Sequence, residues 1–182
     1  CIRDSSISEE TVAANTILLN LTMLSAFILD AYAFSTEGIV GYSIGSKNLR
    51  LLKDVVKNSF ILSASTALLI CVIFFFGNHF FIIAMTDLTE IRNICFSYAY
   101  WIVIIPFISS FCFQFDGIFV GASQTSELRN AMIVSVSIYI ICSFLLIASF
   151  GNTGLWLSLS IFFTARALTL FLYLDRIYQR AT

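Results

Sequence analysis

TVAANTILLNLTMLSAFILDAYAFSTEGIVG, residues 11–41, is an apolar run long enough to cross a bilayer, yet it carries two acids, Asp30 and Glu37. A membrane-crossing helix needs about 20 predominantly apolar residues. An ionised acid in hydrocarbon costs several kcal/mol, roughly. Such residues persist where they face a bundle interior or a watery cavity, with a partner or a task. A third acid of this kind, Asp116, stands in FQFDGIFVGA.

The rest of the chain has the same character. It is 59% hydrophobic and only 12% charged, whereas a soluble domain carries about a quarter charged residues. A single proline and 19 phenylalanines argue against disorder and against a small disulfide-stapled fold. No series of alternating segments of about ten residues is present, as a membrane barrel would need. The reading is an all-α membrane protein of five transmembrane helices in one compact unit, residues 1–182. The helices are expected at about 11–41, 55–76, 88–121, 128–150 and 155–174, with a short amphipathic turn through NHFFIIAM. The linkers GSKNLRLLKD, TDLTE, GASQTS and GNTG join them.

Charge sets a direction. Lys47, Arg50, Lys53, Lys57, Arg129, Arg176 and Arg180 fall on one side, and only Arg3 and Arg92 on the other. The positive-inside rule places the N-terminus outside and the C-terminus in the cytoplasm. The chain starts at Cys1 without a signal peptide, so an upstream helix is expected to deliver that end, and the chain is expected to be a fragment.

Asp30 and Glu37, seven residues apart, share nearly one helix face about 10.5 Å apart along the axis. Thr16 and Met23 extend that stripe, which is expected to face the bundle. Gly117 and Gly121 permit a close helix approach, and Gln114 adds a neutral polar group. Pro106, mid-span in the third helix, removes a backbone hydrogen bond and is the hinge candidate. Arg166, in FFTARALTLF, needs a partner at that depth. Counting along the helices brings Asp30 nearer its level than Asp116, so an Asp30–Arg166 pair is expected. Two readings stand for each acid: a proton or cation site, or a satisfied structural charge.

Other chemistry is poorly represented. The five cysteines (Cys1, Cys71, Cys95, Cys112, Cys142) are isolated and read as free thiols, with no metal site. His79 reads as an interfacial residue rather than a proton sensor. The aromatic residues read mainly as lipid-facing filler and interface anchors, with a site for a flat organic cation as the alternative. No phosphate loop or serine–histidine arrangement points to an enzyme, and no basic run points to nucleic acid.

VAANTILLNLTMLSAFILDAYAFSTEGIVGYSIGSKN, FQFDGIFVGASQTSELRNAMIVS and GLWLSLSIFFTARALTLFLYL resemble, in this order, stretches of the multidrug and toxic compound extrusion (MATE) family. Within it they are most similar to the branch named after DNA-damage-inducible protein F. The resemblance implies secondary antiport by twelve helices in two six-helix lobes, this chain resembling the last five helices of the second lobe. A drug, toxin or metabolite, here an organic and cationic one, leaves while protons or sodium ions enter, with no other cofactor. The implied partners are the lipid bilayer and the N-terminal lobe of the same transporter, and the implied location is a bacterial inner (plasma) membrane. Asp116 matches an acid that contributes to a cation site in sodium-linked relatives. The companion acid would precede Cys1, and proton coupling in the resembled branch is assigned to the first lobe. Asp30 is followed by Ala31 where the branch often has glycine. Two other readings remain: a non-transporting membrane scaffold, and a lipid-precursor flippase of related architecture.

Overall fold

The computed structural model describes residues 8–180, and all their regular structure is helical: α1 Glu9–Gly45, α2 Leu49–Met85, α3 Thr89–Gly121, α4 Thr125–Phe150 and α5 Asn152–Arg180. Cys1, Arg3 and the side chain of Arg180 lie outside the described residues. All five helices are long and apolar enough to cross a membrane. α1 and α2, at 37 residues each, extend to about 55 Å, well beyond the ~30 Å hydrocarbon core.

Two stretches read as connections are helical. NLRLLKD supplies the cap and first turns of α2, because the Asn48 side chain accepts the Leu51 N–H at 3.0 Å and so satisfies a free helix-start donor. NHFFIIAM does not form a separate turn but continues α2 to Met85. Ile82 is fully buried there, and Phe81 packs edge-on against Phe74 at 5.4 Å, so burial keeps the helix going.

The α1–α2 and α3–α4 connections are built alike. Asn48 N–H donates to Ser43 O and Lys47 N–H to Ile44 O; Gln124 N–H donates to Phe119 O and Ser123 N–H to Val120 O. These are paired Schellman closures, each with a left-handed residue, Lys47 at φ 50° and Ser123 at φ 56°. Both occur at the same end of the bundle, called here the Lys47 end. The opposite end, with Ser8 and the α2–α3 and α4–α5 connections, is the Ser8 end.

α3 is the central helix, packed on α1, α2 and α5, while α4 packs chiefly on α5. α1 and α3 approach most closely. A Cβ at Gly117 would overlap the Ala33 backbone, and one at Gly121 would overlap the Glu37 backbone. Small residues four apart form a shallow ridge, and van der Waals contact between backbones then takes the place of the hydrophobic drive that lipid does not supply.

The stripe through Thr16, Met23, Asp30 and Glu37 is not the buried face of α1. Met23 is 55% exposed and Thr16 is exposed, while Asp30 and Glu37 sit half-buried at the edge. The buried face runs instead through Ala14, Leu18, Ser25, Leu29, Ala33, Thr36 and Val40. A strict seven-residue step drifts by about 20° per repeat on a straight helix, and the small residues decide which side meets α3.

Two apolar clusters form the core. One, toward the Ser8 end, gathers Leu18, Leu29, Ile70, Ile102, Ile105 and Trp156. The other, toward the Lys47 end, gathers Val40, Leu52, Phe115, Ile118, Phe119 and Leu170. Along the chain Asp30 and Arg166 lie between these two sets, and Asp116 lies within the second, between Phe115 and Ile118.

Candidate functional site

Arg166 of α5 pairs with Asp116 of α3. Its Nε and Nη2 donate to the same carboxylate oxygen, Oδ1, at 3.1 and 3.0 Å, and its Nη1 donates to the Met132 Sδ of α4 at 2.9 Å. The Arg166 side chain is 12% exposed, so the guanidinium is withdrawn into the bundle with all three nitrogens engaged. This corrects the expected Asp30–Arg166 pair. Depth alone suggested Asp30, but α5 packs along α3 and α4 and meets α1 through Asn152 and Trp156, near its own start. Asp116 is therefore the acid within the arginine's reach.

Asp30 stands near this pair without joining it. It is half-buried, and no hydrogen bond or ion pair to it forms among the described residues. Its charge nevertheless acts on Asp116 and on the buried thiol of Cys112. Two carboxylates and one guanidinium leave the cluster with one negative charge. Gly117, next to Asp116, lies against the Ala33 backbone, about one turn along α1 from Asp30, so the two acids belong to neighbouring turns of the α1–α3 contact.

Other sequence-predicted residues fall outside the cluster. Glu37 is two turns further along α1, its backbone against Gly121, and forms no ion pair among the described residues. Pro106 is buried within an unbroken α3, and its missing N–H leaves the Ile102 carbonyl without an i+4 donor. Gln114 is fully buried beside Thr36, whose hydroxyl lies 3.1 Å from its Oε1 and 2.8 Å from the Tyr32 carbonyl. His79 lies within α2 and stacks on Phe96 at 5.1 Å. Cys71, Cys95, Cys112 and Cys142 are free thiols.

A second polar cluster has no counterpart in the sequence reading. Asn15 of α1 and Asn152 of α5 exchange amide hydrogen bonds at 2.6 and 3.1 Å, and Trp156 Nε1 donates to Asn15 Oδ1 at 3.0 Å. The available signal was an asparagine near the same end of two spans, in AANT and GNTG. Arg92, read only as a charge for orientation, bonds Thr86 O, Ile83 O and Asp87, and so closes the C-terminus of α2.

An apolar groove of about 550 Å³ runs beside the ionic cluster between α2, α3 and α5. Phe60, Phe107, Phe111, Phe115 and Phe171 line it, with Phe60 edge-on to Phe115 at 4.8 Å. Phe115 directly precedes Asp116, and Ala167, also in the wall, directly follows Arg166.

The MatE family profile matches residues 5–148. The chain is 31% identical over 164 residues to DNA damage-inducible protein F of Escherichia coli (strain K12), covering 90% of this chain and 36% of that protein. It is 22% identical over 157 residues to Protein DETOXIFICATION 42 of Arabidopsis thaliana, covering 86% of this chain and 30% of that protein. It spans about a third of the length of these two curated relatives. The crystal structure of the eukaryotic MATE transporter AtDTX14 shares the fold over 95% of this chain and 40% of that one, with a TM-score of 0.88 at 14% identity. Proteins of the family are transporters rather than enzymes. The five-helix bundle and a profile match over most of its length make this chain a member of the MatE, or multidrug and toxic compound extrusion, family.

Proposed function

We propose that this chain forms five helices of the second lobe of a cation-coupled exporter. The exporter exchanges an organic, amphipathic and cationic compound for protons or sodium ions. The observation that carries the reading is that α1 and α3 bring two acids, Asp30 and Asp116, and α5 one base, Arg166, into the middle of a bundle of membrane-spanning helices, with only Asp116 paired to the base among the described residues. A buried site of this charge binds one monovalent cation far better in one conformation than in another, and that difference is what drives exchange. Asp30 and Asp116 are its coupling candidates, Glu37 a more distant one, Arg166 the structural counter-charge, and Pro106 the hinge. The phenylalanine-lined groove beside the cluster suits a flat apolar ion.

An N-terminal lobe of the same transporter completes the transport path, which in this reading runs between lobes. This chain's correspondence to 40% of a complete MATE transporter supports that partner. Seven basic residues against two favour the Lys47 end as cytoplasmic, and the similarity to an Escherichia coli protein favours a bacterial inner membrane.

The test is ethidium transport into inverted vesicles carrying the full-length gene product. Accumulation driven by an imposed proton or sodium gradient, and abolished when that gradient is collapsed, is the expected result. Dye uptake indifferent to both gradients would exclude coupled export. The Asp116–Arg166 pair also suits a scaffold whose buried charges only join helices. Asp30→Asn or Asp116→Asn protein lost from the membrane together with activity would favour that account.

A further inference from the structure

Going beyond the exporter reading, we propose that the seam between α2 and α5 holds one phospholipid with a primary-amine headgroup, drawn from the leaflet at the Lys47 end. Its phosphate meets Lys53, its ammonium meets Asp175, and one acyl chain lies in the phenylalanine-lined groove. Two hollows of opposite character stand in line on this seam. The outer one, about 330 Å³, is lined by Leu49 and Lys53 of α2 and by Asp175, Tyr178 and Gln179 of α5. The deeper one is the apolar groove of about 550 Å³, to which α2 contributes Phe60 and α5 contributes Leu168 and Phe171.

Helix rise puts both hollows at the depths a lipid needs. Between Lys57 and His79, α2 carries no charged side chain over a rise of about 33 Å, close to the thickness of a hydrocarbon core. Lys57 therefore marks the edge of the core at this end. Lys53 stands about 6 Å outside that edge, at headgroup level, and Phe60 about 4.5 Å inside it. α5 runs the opposite way and matches, with Phe171 about 6 Å deeper than Asp175. The Lys53 ammonium lies 5.8 Å from the centre of the Tyr178 ring, so the two helices stand side by side around the outer hollow. Deeper in, Phe60 and Phe171 both pack on Phe115, at 4.8 and 6.3 Å.

The charges select the headgroup. Arg50 and Lys57, three before and four after Lys53, share its helix face and are exposed, so a phosphate on this face meets positive charge over two turns. Asp54 lines a different hollow, between α1 and α2, with Tyr32, Ser35 and Asn58. Asp175 shares the outer hollow with Lys53. A purely anionic headgroup leaves that carboxylate beside a phosphate, and a quaternary ammonium offers it no N–H. A primary ammonium donates to Asp175 while the phosphate accepts from Lys53. The groove receives a flat organic ion or an acyl chain in turn, and only the lipid uses the polar hollow as well.

The test is photo-crosslinking of the purified full-length protein in nanodiscs with a phosphatidylethanolamine that carries a diazirine on one acyl chain. Labelled peptides should centre on the stretches from Phe107 to Phe115 and from Leu168 to Phe171. Unlabelled phosphatidylethanolamine should compete better than phosphatidylglycerol or phosphatidylcholine with the same chains. Lys53→Gln should weaken labelling about fivefold. Asp175→Asn should keep the label in the groove and abolish the preference over phosphatidylglycerol. Both side chains are exposed, so neither change removes a core contact. Label spread evenly along α4 and the other lipid-facing helices would mean annular lipid only and overturns the proposal. Phosphatidylglycerol that competes better in the wild type, or an amine preference that survives Asp175→Asn, overturns it too. No dye or ion gradient enters the assay, so its outcome is separate from that of the exporter reading.

Discussion

Two polar ties fasten α5 to the rest of the bundle, one near the start of α1 and one beside the second apolar cluster, and they differ in what they leave over. At the first, Asn15, Asn152 and Trp156 bond one another and carry no charge. At the second, Arg166 satisfies Asp116, while Asp30 of α1 has no ion pair or hydrogen bond among the described residues. A neutral network costs little to bury when its polar groups bond one another and carry no charge into the apolar interior. A charged network with a residue left over is stable only in company with water or a bound cation. The first tie is closed and neutral, and the second leaves one carboxylate over.

That contrast can be broken most forcefully at Arg166. Arg166→Met leaves two carboxylates within the bundle without a cation and should cost about 3–5 kcal/mol, read as a loss of folded protein in a detergent thermal-unfolding assay. Adding Asp116→Asn to it should recover most of that loss; if it does not, the arginine has another role. Gly117→Leu attacks the α1–α3 approach that brings Asp30 to the cluster. Overlap with the Ala33 backbone should cost about 2–3 kcal/mol and separate Asp30 from Asp116, measurable as a lower unfolding midpoint.

Asn15→Ala sharpens the other side. It removes the acceptor shared by Asn152 and Trp156, and should cost about 1–2 kcal/mol, since membrane hydrogen bonds find substitutes easily. The folded fraction should keep gradient-driven ethidium transport, which a responsive tie would not. The smallest effect is expected at a turn remote from both ties. Lys47→Gly relieves a left-handed backbone conformation and should stabilise by about 1 kcal/mol, with transport unchanged.

The helices were more legible than the site. Apolar length alone marks the five spans, although α2 outruns its expected end because Ile82 and Phe81 remain packed beyond Gly77. Gly117 and Gly121, four apart, also announced a close contact. The partner of Arg166 did not follow from the same information. Axial counting puts residues at a depth but says nothing of rotation about each helix, and a rotation of one residue, about 100°, decides between two neighbours. For the same reason the stripe from Thr16 to Glu37 read as buried when its first half faces outward.

By itself, the sequence determined that the chain crosses a membrane as helices and that Asp30, Asp116 and Arg166 each require an explanation. Those conclusions rest on the cost of polar groups in hydrocarbon, which depends on composition and local length. Only the tertiary structure decided that Arg166 answers to Asp116 and leaves Asp30 unpaired. That outcome depends on α3 lying between α1 and α5, an order set by glycine-mediated backbone contact on one side and side-chain packing on the other.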